Sequence, residues 1–411
     1  MKRRRSLTHI GGEIQRHGQK EAAAALAEAI DVAPSQEPRG GATEDDPDRS
    51  HVHGFHSYPA RMHPATAARL VRAVCGEGQT LLDPFCGSGT VLVEAMIAGR
   101  RAVGTDLNPL AVRLAKLKTA RIDAATREAI LVSARDAAAL ANERRLRRAG
   151  ASKRYVADDV AAFDAHVLLE LDSLRVGVQG SKDEVVRSAL ELVLSAILVK
   201  VSRKASDTAG HQVPRRIAAG YPAKLLVKKA AELVRRLADF EALLPPGVPA
   251  ARVELDDATR LRSVKPGSVD GVVTSPPYVA TYDYLAHHAL RMRWLGLDTK
   301  AFGENETGSR RRYATLDARQ AVDAWTRELT AILRCLSRVC RRGARLALLI
   351  ADSAVQGQAL RADELLATIA PAAGLQIVAR ASQLRPHFHG PTARAFEHVP
   401  RAEHAIALEK S

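Results

Sequence analysis

Strand-like and helix-like hydrophobic patterns alternate along two parts of the chain. The first part, QTLLDPFCGSGTVLVEAMIAG followed by RRAVGTDLNPLAVRLAKLKT, predicts two successive strand–turn–helix units. The second part predicts strands in ARVELDDATRL, SVDGVVTSPPY, ARLALLIAD, LQIVARASQL and EHAIALEK, with a helix through AVDAWTRELTAILRCLSRVC. Strands that alternate with helices form parallel sheets with right-handed crossovers. The pattern therefore predicts an α/β fold with a mainly parallel sheet.

Two other parts of the chain lack this alternation. Residues 1–50 contain the polar stretch APSQEPRGGATEDDPDRS, and only EAAAALAEAI within them has a helical pattern, so we expect a flexible tail. Residues 121–250 are rich in alanine and leucine at helical spacing and end in LLPPGVP, which predicts a mainly helical insertion. The predicted organisation is the tail, one half of the α/β domain at 51–120, the insertion, and the second half at 251–411.

The composition is typical of a folded protein outside the membrane and disulfide-rich classes. Of the 411 residues, 46% are hydrophobic and 26% are charged, both near the globular average. The longest apolar runs fall short of the ~20 residues that span a membrane, and the start MKRRRS is not followed by the apolar stretch of a signal peptide. The four scattered cysteines suit neither a disulfide framework nor a zinc site. We expect a cytoplasmic protein without membrane contact.

Excess positive charge indicates a polyanionic partner. The net charge is +15, and nucleic acid is the commonest partner of so basic a protein. A GC-rich genome, which favours arginine codons, is an alternative source of part of the excess. The distribution is informative, because residues 1–50 hold 8 basic and 9 acidic side chains whereas residues 200–236 hold 10 basic and 2 acidic ones. The insertion therefore carries a basic cluster.

The segment DPFCGSGT, from Asp83 to Thr90, lies where a predicted strand meets a helix, and we call it the glycine loop. Gly87 and Gly89 allow a tight turn and a close approach of a ligand, and the helix N-terminus offers N–H groups to an anion. The third glycine of a dinucleotide site and the lysine of a phosphate loop are both missing. The loop favours a ligand with a carboxylate, such as an amino-acid moiety, and the alternative is a purely structural turn.

Acidic residues follow the next two predicted strands. Asp106 ends the second strand, where its carboxylate can accept hydrogen bonds from both ribose hydroxyls of a nucleoside. Asp257 follows the third strand, where it can accept a hydrogen bond from an adenine amino group, and Asp256 is its close competitor. A single aspartate after a strand is commonly a helix cap. Three such acids in succession, Asp83 included, favour a nucleoside site.

Together these motifs resemble a known family. DPFCGSGT, GTDLNP and TSPPY are similar to segments of the DNA methyltransferases that methylate exocyclic amino groups with S-adenosylmethionine. FHSYPARMHP (55–64) resembles a segment that precedes the glycine loop in some members and helps to hold the methionine end. The resemblance covers about 51–120 and 251–411. It implies a Rossmann-like class I methyltransferase fold with a mainly parallel seven-stranded sheet, double-stranded DNA as partner and, in a restriction–modification pair, a cognate endonuclease.

The family pattern also implies roles for particular residues. Serine before the two prolines is associated most often with cytosine N4, and aspartate with adenine N6, so Ser275 favours cytosine. The implied catalytic residues are Ser275, Pro276, Pro277 and Tyr278, which we call the SPPY loop. The implied site for S-adenosylmethionine consists of Asp83, Pro84, Phe85, Gly87, Gly89, Thr90, Asp106, Asn108 and Asp257.

The SPPY loop suits amino methylation on physical grounds as well. The exocyclic amine of a base is a poor nucleophile because its lone pair is delocalised into the ring. Ser275 Oγ and the Pro276 carbonyl can accept its two N–H groups and favour a tetrahedral nitrogen, and the prolines hold that carbonyl without adding a donor. Tyr278 can stack on an extruded base and stabilise a sulfonium cation. The alternative is a proline turn that merely ends a strand.

Further residues are candidates for contacts with nucleic acid. Tyr282 or Tyr284 is expected either to line a base pocket or to pack in the core, and Trp294 is expected to be core. Basic side chains in SRKASDT, in PRR and in GSRRRY are predicted to contact DNA phosphates: Arg203, Lys204, Arg215, Arg216, Arg310 and Arg311.

The sequence lacks the motifs of two other chemistries, methylation of cytosine C5 and metal binding. No Pro-Cys nucleophile of the kind that methylates cytosine C5 is present, and Cys86 is expected to pack. The histidines at 51, 53, 56 and 63 lie in a proline-containing segment without metal-site spacing, so no metal is expected. The leading hypothesis is a DNA methyltransferase acting on cytosine N4. The alternatives are methylation of adenine N6, methylation of RNA, and a non-catalytic nucleic-acid binder of the same fold.

Overall fold

The computed structural model describes residues 12–32, 49–208, 211–385 and 390–411. The strands are β1 (Ile14–Gly18), β2 (Thr80–Asp83), β3 (Arg101–Asp106), β4 (Arg252–Leu255), β5 (Val269–Thr274), β6 (Cys340–Ala351), β7 (Ser353–Val355), β8 (Gln358–Leu360), β9 (Leu375–Leu384) and β10 (Ala402–Lys410). The helices before the insertion are α1 (Lys20–Ile30), α2 (Pro64–Val74), α3 (Thr90–Ile97) and α4 (Pro109–Lys118). Those of the insertion are α5 (Ala124–Leu146), α6 (Ala157–Ala162), α7 (Ala165–Gln179), α8 (Glu184–Val201) and α9 (Tyr221–Leu243). Those that follow are α10 (Tyr284–Trp294), α11 (Lys300–Asn305), α12 (Arg310–Tyr313), α13 (Ala318–Val339), α14 (Ala362–Ile369) and α15 (Gly390–Ala395).

In the described part of the chain, eight strands form one sheet in the order β1-β9-β10-β6-β5-β2-β3-β4. Strands β2 to β6 pair in parallel, whereas β10 runs antiparallel to both β6 and β9. β7 and β8 form a separate hairpin. The expected mainly parallel, Rossmann-like α/β fold is confirmed, but the sheet has eight strands and not seven.

The additional strand comes from the segment that was expected to be a tail. β1 pairs antiparallel with β9, from Ile14 opposite Gln383 to Gly18 opposite Ala379. α1 follows and buries Leu26 and Ile30. The expectation of a flexible tail is therefore wrong for the chain from β1 to α1, because an edge strand that is exposed along most of its length shows no apolar alternation. Residues 1–11 and most of the predicted linker, 33–48, lie outside the described residues.

The central strands supply side chains to cores on both faces of the sheet. Leu81 and Val273 belong to one core, and their neighbours Leu82 and Val272 belong to the other, as the twofold alternation of a strand requires. The first core contains residues of α1 to α4, and the second contains residues of α13 and α14. With both faces covered, the strand ends are the places where a ligand can reach the sheet.

Residues 121–250 are mainly helical, as the hydrophobic pattern predicts. Apolar residues of this insertion, such as Ile130, Leu171 and Leu190, join the first core. α8 packs against both α4 and α10, so the insertion contacts each half of the α/β domain.

Among the described residues, no helix combines the length and hydrophobicity that crossing a membrane requires.

Candidate active site

The glycine loop lies at the carboxyl end of β2, between that strand and α3. Gly89 has a φ of +89° and Gly87 a φ of +49°, a left-handed backbone that strains other residues. A β-carbon on Gly89 would lie 3.1 Å from Ala115 Cα, and one on Gly87 would lie 3.3 Å from the ring of Tyr58. Both glycines are therefore required by the shape of the loop and by its close neighbours.

Asp106, at the end of β3, is hydrogen-bonded to the glycine loop. Its Oδ2 accepts the Gly87 N–H at 2.8 Å, and its Oδ1 accepts the Asn108 N–H at 2.8 Å. Burial raises the pKa of Asp106 to about 6, although these backbone hydrogen bonds act in the opposite direction. Asn108 in turn caps α4 by accepting the Leu110 N–H at 3.0 Å. The acid predicted to hold a ribose thus lies directly against the loop predicted to hold an amino acid.

Asp83 connects the glycine loop to the strand that precedes the SPPY loop. Thr274 Oγ1 donates a hydrogen bond of 2.7 Å to Asp83 Oδ1, and the Phe85 N–H donates to the same oxygen at 3.1 Å. Burial raises the pKa of Asp83 to about 7, against the effect of these two hydrogen bonds. Asp83 and Thr274 are 191 residues apart in sequence, yet they lie at neighbouring strand ends. The two predicted motifs therefore form one site.

The remaining residues of the glycine loop complete its contacts. Thr105 Oγ1 donates to the Pro84 carbonyl at 3.3 Å, and Phe85 packs against the second core. Cys86 is buried, as expected for a packing residue. Thr90 is only 4% exposed, and its Oγ1 has no hydrogen-bond partner among the described residues. A buried hydroxyl at the start of α3 is thus left for a ligand, which fits a bound cofactor at this loop.

The SPPY loop leaves the sheet directly after Thr274. Ser275 Oγ and the Pro276 carbonyl make no hydrogen bond within the part of the chain that the structure describes, so both acceptors are available. The Tyr278 hydroxyl donates to Glu403 Oε1 at 2.5 Å, and Arg385 Nε donates to the other oxygen of Glu403 at 3.1 Å. Burial and the negative charge of Glu403 raise the pKa of Tyr278 well above its usual value. Tyr278 is therefore a neutral phenol held by its hydroxyl end.

Aromatic side chains join these two loops. Tyr58 stacks on Tyr284, with ring centroids 6.4 Å apart, and its ring lies 4.8 Å from that of His288. Tyr282 lies 5.5 Å from Tyr284, and Asn108 Nδ2 donates to the Tyr58 hydroxyl at 3.3 Å. Tyr58, His288, Thr274 and Glu403 were not singled out by the sequence. Two of them lay within quoted motifs: Tyr58 in FHSYPARMHP and Thr274 in TSPPY.

The acids after β4 are engaged in the following turn. Asp257 Oδ1 accepts the Thr259 N–H at 2.8 Å and the Thr259 hydroxyl at 2.7 Å. Asp256 Oδ2 accepts the Ser263 N–H at 2.7 Å and the Ser263 hydroxyl at 2.6 Å. Both acids therefore cap a turn, which was the alternative to a ligand role. The contact of Asp257 with an adenine stays a prediction.

The six basic residues predicted to contact DNA fall into two groups. Three side chains bond to a carboxylate or to backbone carbonyls of the chain itself: Arg203, Arg215 and Arg311. The other three make no side-chain hydrogen bond or ion pair with a described residue: Lys204, Arg216 and Arg310. The first group has a structural function, because these side chains hold loops and a helix end. The second group is open to a ligand.

Histidines 51 to 63 have structural contacts. His53 Nε2 lies 2.7 Å from Glu94 Oε1, and His56 Nε2 lies 3.0 Å from Ser195 Oγ. His63 caps α2, since its Nδ1 accepts the Ala65 N–H at 3.1 Å. These hydrogen bonds join the segment before the glycine loop to α3 and to the insertion.

Comparison with known proteins identifies the segment that holds the glycine loop. Residues 30–117 match the model of the N6/N4 methyltransferase family, described as DNA methylase. The chain is 44% identical over 75 residues to the Type II methyltransferase M.MvaI of Kocuria varians, which is 18% of this chain and 16% of that protein. It is 34% identical over 73 residues to M.MjaII of Methanocaldococcus jannaschii, or 18% and 14% of the two chains. It is 42% identical over 52 residues to the tRNA (guanine(10)-N2)-dimethyltransferase of Methanothermobacter thermautotrophicus, or 12% and 16%.

Each of these matches spans less than a fifth of the relative's own length. The segment 30–117 nevertheless contains the glycine loop, Asp106 and Asn108. The resemblance to the amino-methylating DNA methyltransferases is therefore confirmed through this segment, and the cofactor of that family is S-adenosylmethionine. The glycine cradle, the strand-end acid and the free hydroxyl of Thr90 fit the amino-acid and ribose parts of that cofactor.

Proposed function

We propose that the protein transfers the methyl group of S-adenosylmethionine to an exocyclic amino group of a base extruded from double-stranded DNA, with cytosine N4 as the acceptor. The observation that carries this proposal is the 2.7 Å hydrogen bond between Thr274 and Asp83. It places the start of the SPPY loop beside the start of the glycine loop, so a cofactor on one loop lies next to a base on the other. Ligands of open parallel sheets bind at such strand ends.

The two acceptors of the SPPY loop orient the amino group. Ser275 Oγ and the Pro276 carbonyl accept its two N–H groups, which localises the nitrogen lone pair and directs it out of the base plane. The glycine loop and Asp106 would hold S-adenosylmethionine, which would supply an electrophilic methyl group; the amino nitrogen would take that methyl group as its bond to sulfur breaks. The methylated nitrogen then loses a proton to water, since it becomes acidic once it has gained the methyl group. Positioning by the chain supplies most of the rate enhancement.

The choice of base rests on Ser275. Serine at this position favours cytosine N4, and methylation of adenine N6 is the alternative within the same family. RNA methylation is a second candidate function, favoured by the short match to a tRNA dimethyltransferase. A cognate endonuclease and a cytoplasmic location stay predictions.

Transfer of labelled methyl groups tests the proposal. Purified protein and labelled S-adenosylmethionine are incubated with duplex DNA or with RNA, and DNA from cells that express the protein is sequenced for modified bases. We expect label in duplex DNA and N4-methylcytosine within one short sequence. The matched control is Ser275→Ala, which should bind the cofactor and transfer nothing. Label in RNA alone, or in neither substrate, would contradict the proposal.

A further inference from the structure

A buried ion pair attaches the insertion to the helix that follows the SPPY loop. Arg291, on α10, donates from Nε to Asp207 Oδ1 at 2.8 Å and from a terminal nitrogen to Asp207 Oδ2 at 2.9 Å. Both side chains are buried, and Ser57 Oγ donates to Asp207 Oδ2 at 2.9 Å. This bidentate geometry fixes distance and orientation together. The insertion is thus held to both loops of the site, through α10 and through the segment before the glycine loop.

The backbone that precedes Asp207 is fixed as well. Lys204 forms an antiparallel bridge with Gln212, and its N–H donates to Ser202 Oγ at 3.1 Å. The Val213 N–H donates to the Arg203 carbonyl at 2.7 Å. The side chain of Lys204 has no ion-pair or hydrogen-bond partner among the described residues. The backbone of Lys204 is therefore held by hydrogen bonds, while its side-chain cation is left for a ligand.

Arg310 is a second such cation, and it comes from the other half of the chain. Its N–H donates to the Tyr282 carbonyl at 2.8 Å, which places Arg310 beside the segment that leaves the SPPY loop. Its side chain is exposed and makes no polar contact with a described residue. Burial lowers the pKa of His287 on α10, and the positive charges of Arg310 and Lys204 lower it further. The charges of Asp283 and Asp207 act on it in the opposite direction.

We propose that Lys204 and Arg310 bind the backbone phosphates of the DNA strand that carries the target base, with the Asp207–Arg291 pair as the link that holds Lys204 in place. A base is extruded by rotation about its own backbone, so its flanking phosphates come closest to the SPPY loop. Lysine and arginine side chains are the usual partners of those phosphates. This inference rests on the proposed function and gives the insertion a part in it.

The test compares Lys204→Ala, Arg310→Ala and the double variant with Arg342→Ala. Arg342 is an exposed arginine near the amino end of β6, whereas the SPPY loop follows the carboxyl end of the parallel neighbour β5, and it makes no polar contact with a described residue. Affinity for a duplex is measured by fluorescence anisotropy between about 50 and 200 mM salt, together with kcat and KM for DNA and the affinity for S-adenosylmethionine. Each single change should weaken DNA binding about five- to tenfold at 0.1 M salt and lower the slope of affinity against salt by about one. Cofactor affinity and the Arg342 variant should match the wild type.

Asp207→Asn tests the link. If the ion pair positions Lys204, the Lys204→Ala change should have little further effect on DNA affinity in the Asp207→Asn background. Wild-type salt slopes for both Lys204→Ala and Arg310→Ala, in a protein that methylates DNA, would overturn this inference and leave the proposed function intact. Failure of the wild-type protein to bind or methylate duplex DNA would overturn both.

Discussion

Asp106 has a pKa near the physiological range, and its proposed function requires the charged form. A carboxylate accepts hydrogen bonds from both hydroxyls of a ribose, whereas the protonated acid offers one of its oxygens as a donor. Because burial raises the pKa of Asp106 to about 6, the free protein loses this acceptor as the pH falls through that value. The site is therefore expected to bind S-adenosylmethionine more weakly in acid.

The first prediction follows from that pKa. Cofactor affinity, measured by calorimetry from pH 5 to 8, should fall as the pH drops through about 6, the pKa of Asp106. Asp106→Asn should bind about tenfold more weakly at pH 8, as expected for the loss of a charge-assisted hydrogen bond, and lose the component of the pH dependence near pH 6, while any component from Asp83, whose pKa is about 7, remains. Asp239→Asn is the control, since Asp239 is a partly exposed residue of α9 that pairs with Arg235. Equal pH profiles for the wild type and Asp106→Asn would exclude Asp106 as the ribose acceptor.

The second prediction concerns the contact between Tyr278 and Glu403. Tyr278→Ala should abolish methyl transfer with cofactor affinity largely intact, because it removes the ring that is proposed to stack on the base. Tyr278→Phe keeps the ring and loses only the hydrogen bond to Glu403, so kcat should fall about fivefold, equivalent to about 1 kcal/mol. Single-turnover assays measure both variants. Equal rates for the alanine and phenylalanine variants would show that stacking of the ring contributes nothing.

At the scale of elements, β1 and α1 belong to the folded domain. The third prediction is that Leu26→Ala, at a position 2% exposed, lowers the free energy of unfolding by about 2–5 kcal/mol. Glu28→Ala, at an exposed position of the same helix, should change it by less than about 0.5 kcal/mol. Urea denaturation measures both. A Leu26→Ala variant as stable as the wild type would mean that this segment is a tail after all.

The strands of the site are predictable from sequence, and β1 is not. β2 and β5 are largely buried and end just before a proline turn, and the second half of β6 is a buried apolar run. β1 has the sequence IQRHG, exposed over four of its five residues, and its stability comes from backbone pairing with β9. Backbone pairing leaves no trace in side-chain chemistry. The hydrogen bond between Asp83 and Thr274 joins side chains 191 residues apart, so no local pattern predicts that contact.

At the scale of the molecule, the buried pair of Arg291 and Asp207 joins the insertion to α10 and stabilises the packing of both. The fourth prediction is that Arg291→Ala lowers the free energy of unfolding by about 3–5 kcal/mol, because it leaves the buried carboxylate of Asp207 without its partner. Arg293→Ala, on the same helix, removes a more exposed pair with Asp159 and should cost about 1 kcal/mol or less. Thermal and urea denaturation distinguish the two. Similar decreases in the free energy of unfolding for both variants would contradict the prediction that the buried pair of Arg291 contributes more than the exposed pair of Arg293.

The sequence indicated the halves of the site but not what holds them together. The glycine loop and the SPPY loop are local motifs. They can be recognised from sequence because closely spaced glycines or paired prolines at a strand end indicate a particular backbone conformation. The pair of Arg291 and Asp207 joins residues 84 positions apart, and neither stands out from the many basic and acidic residues around it. The basic cluster at 200–236 predicted an interface with nucleic acid, but it did not indicate which of its side chains would be free to bind. Only the fold separates the cations that hold loops from those that remain open.

The distance in sequence between Asp83 and Thr274 has a consequence for synthesis of the protein. β2 pairs with β3 and β5, but the 145 residues between β3 and β4 must leave the ribosome before β5 can follow. At about 5–20 residues per second, synthesis of these residues alone takes roughly 7–30 s. β1 waits longer still, since its partner β9 begins at Leu375. A nascent chain therefore cannot complete the sheet until β9 and its partners have been made.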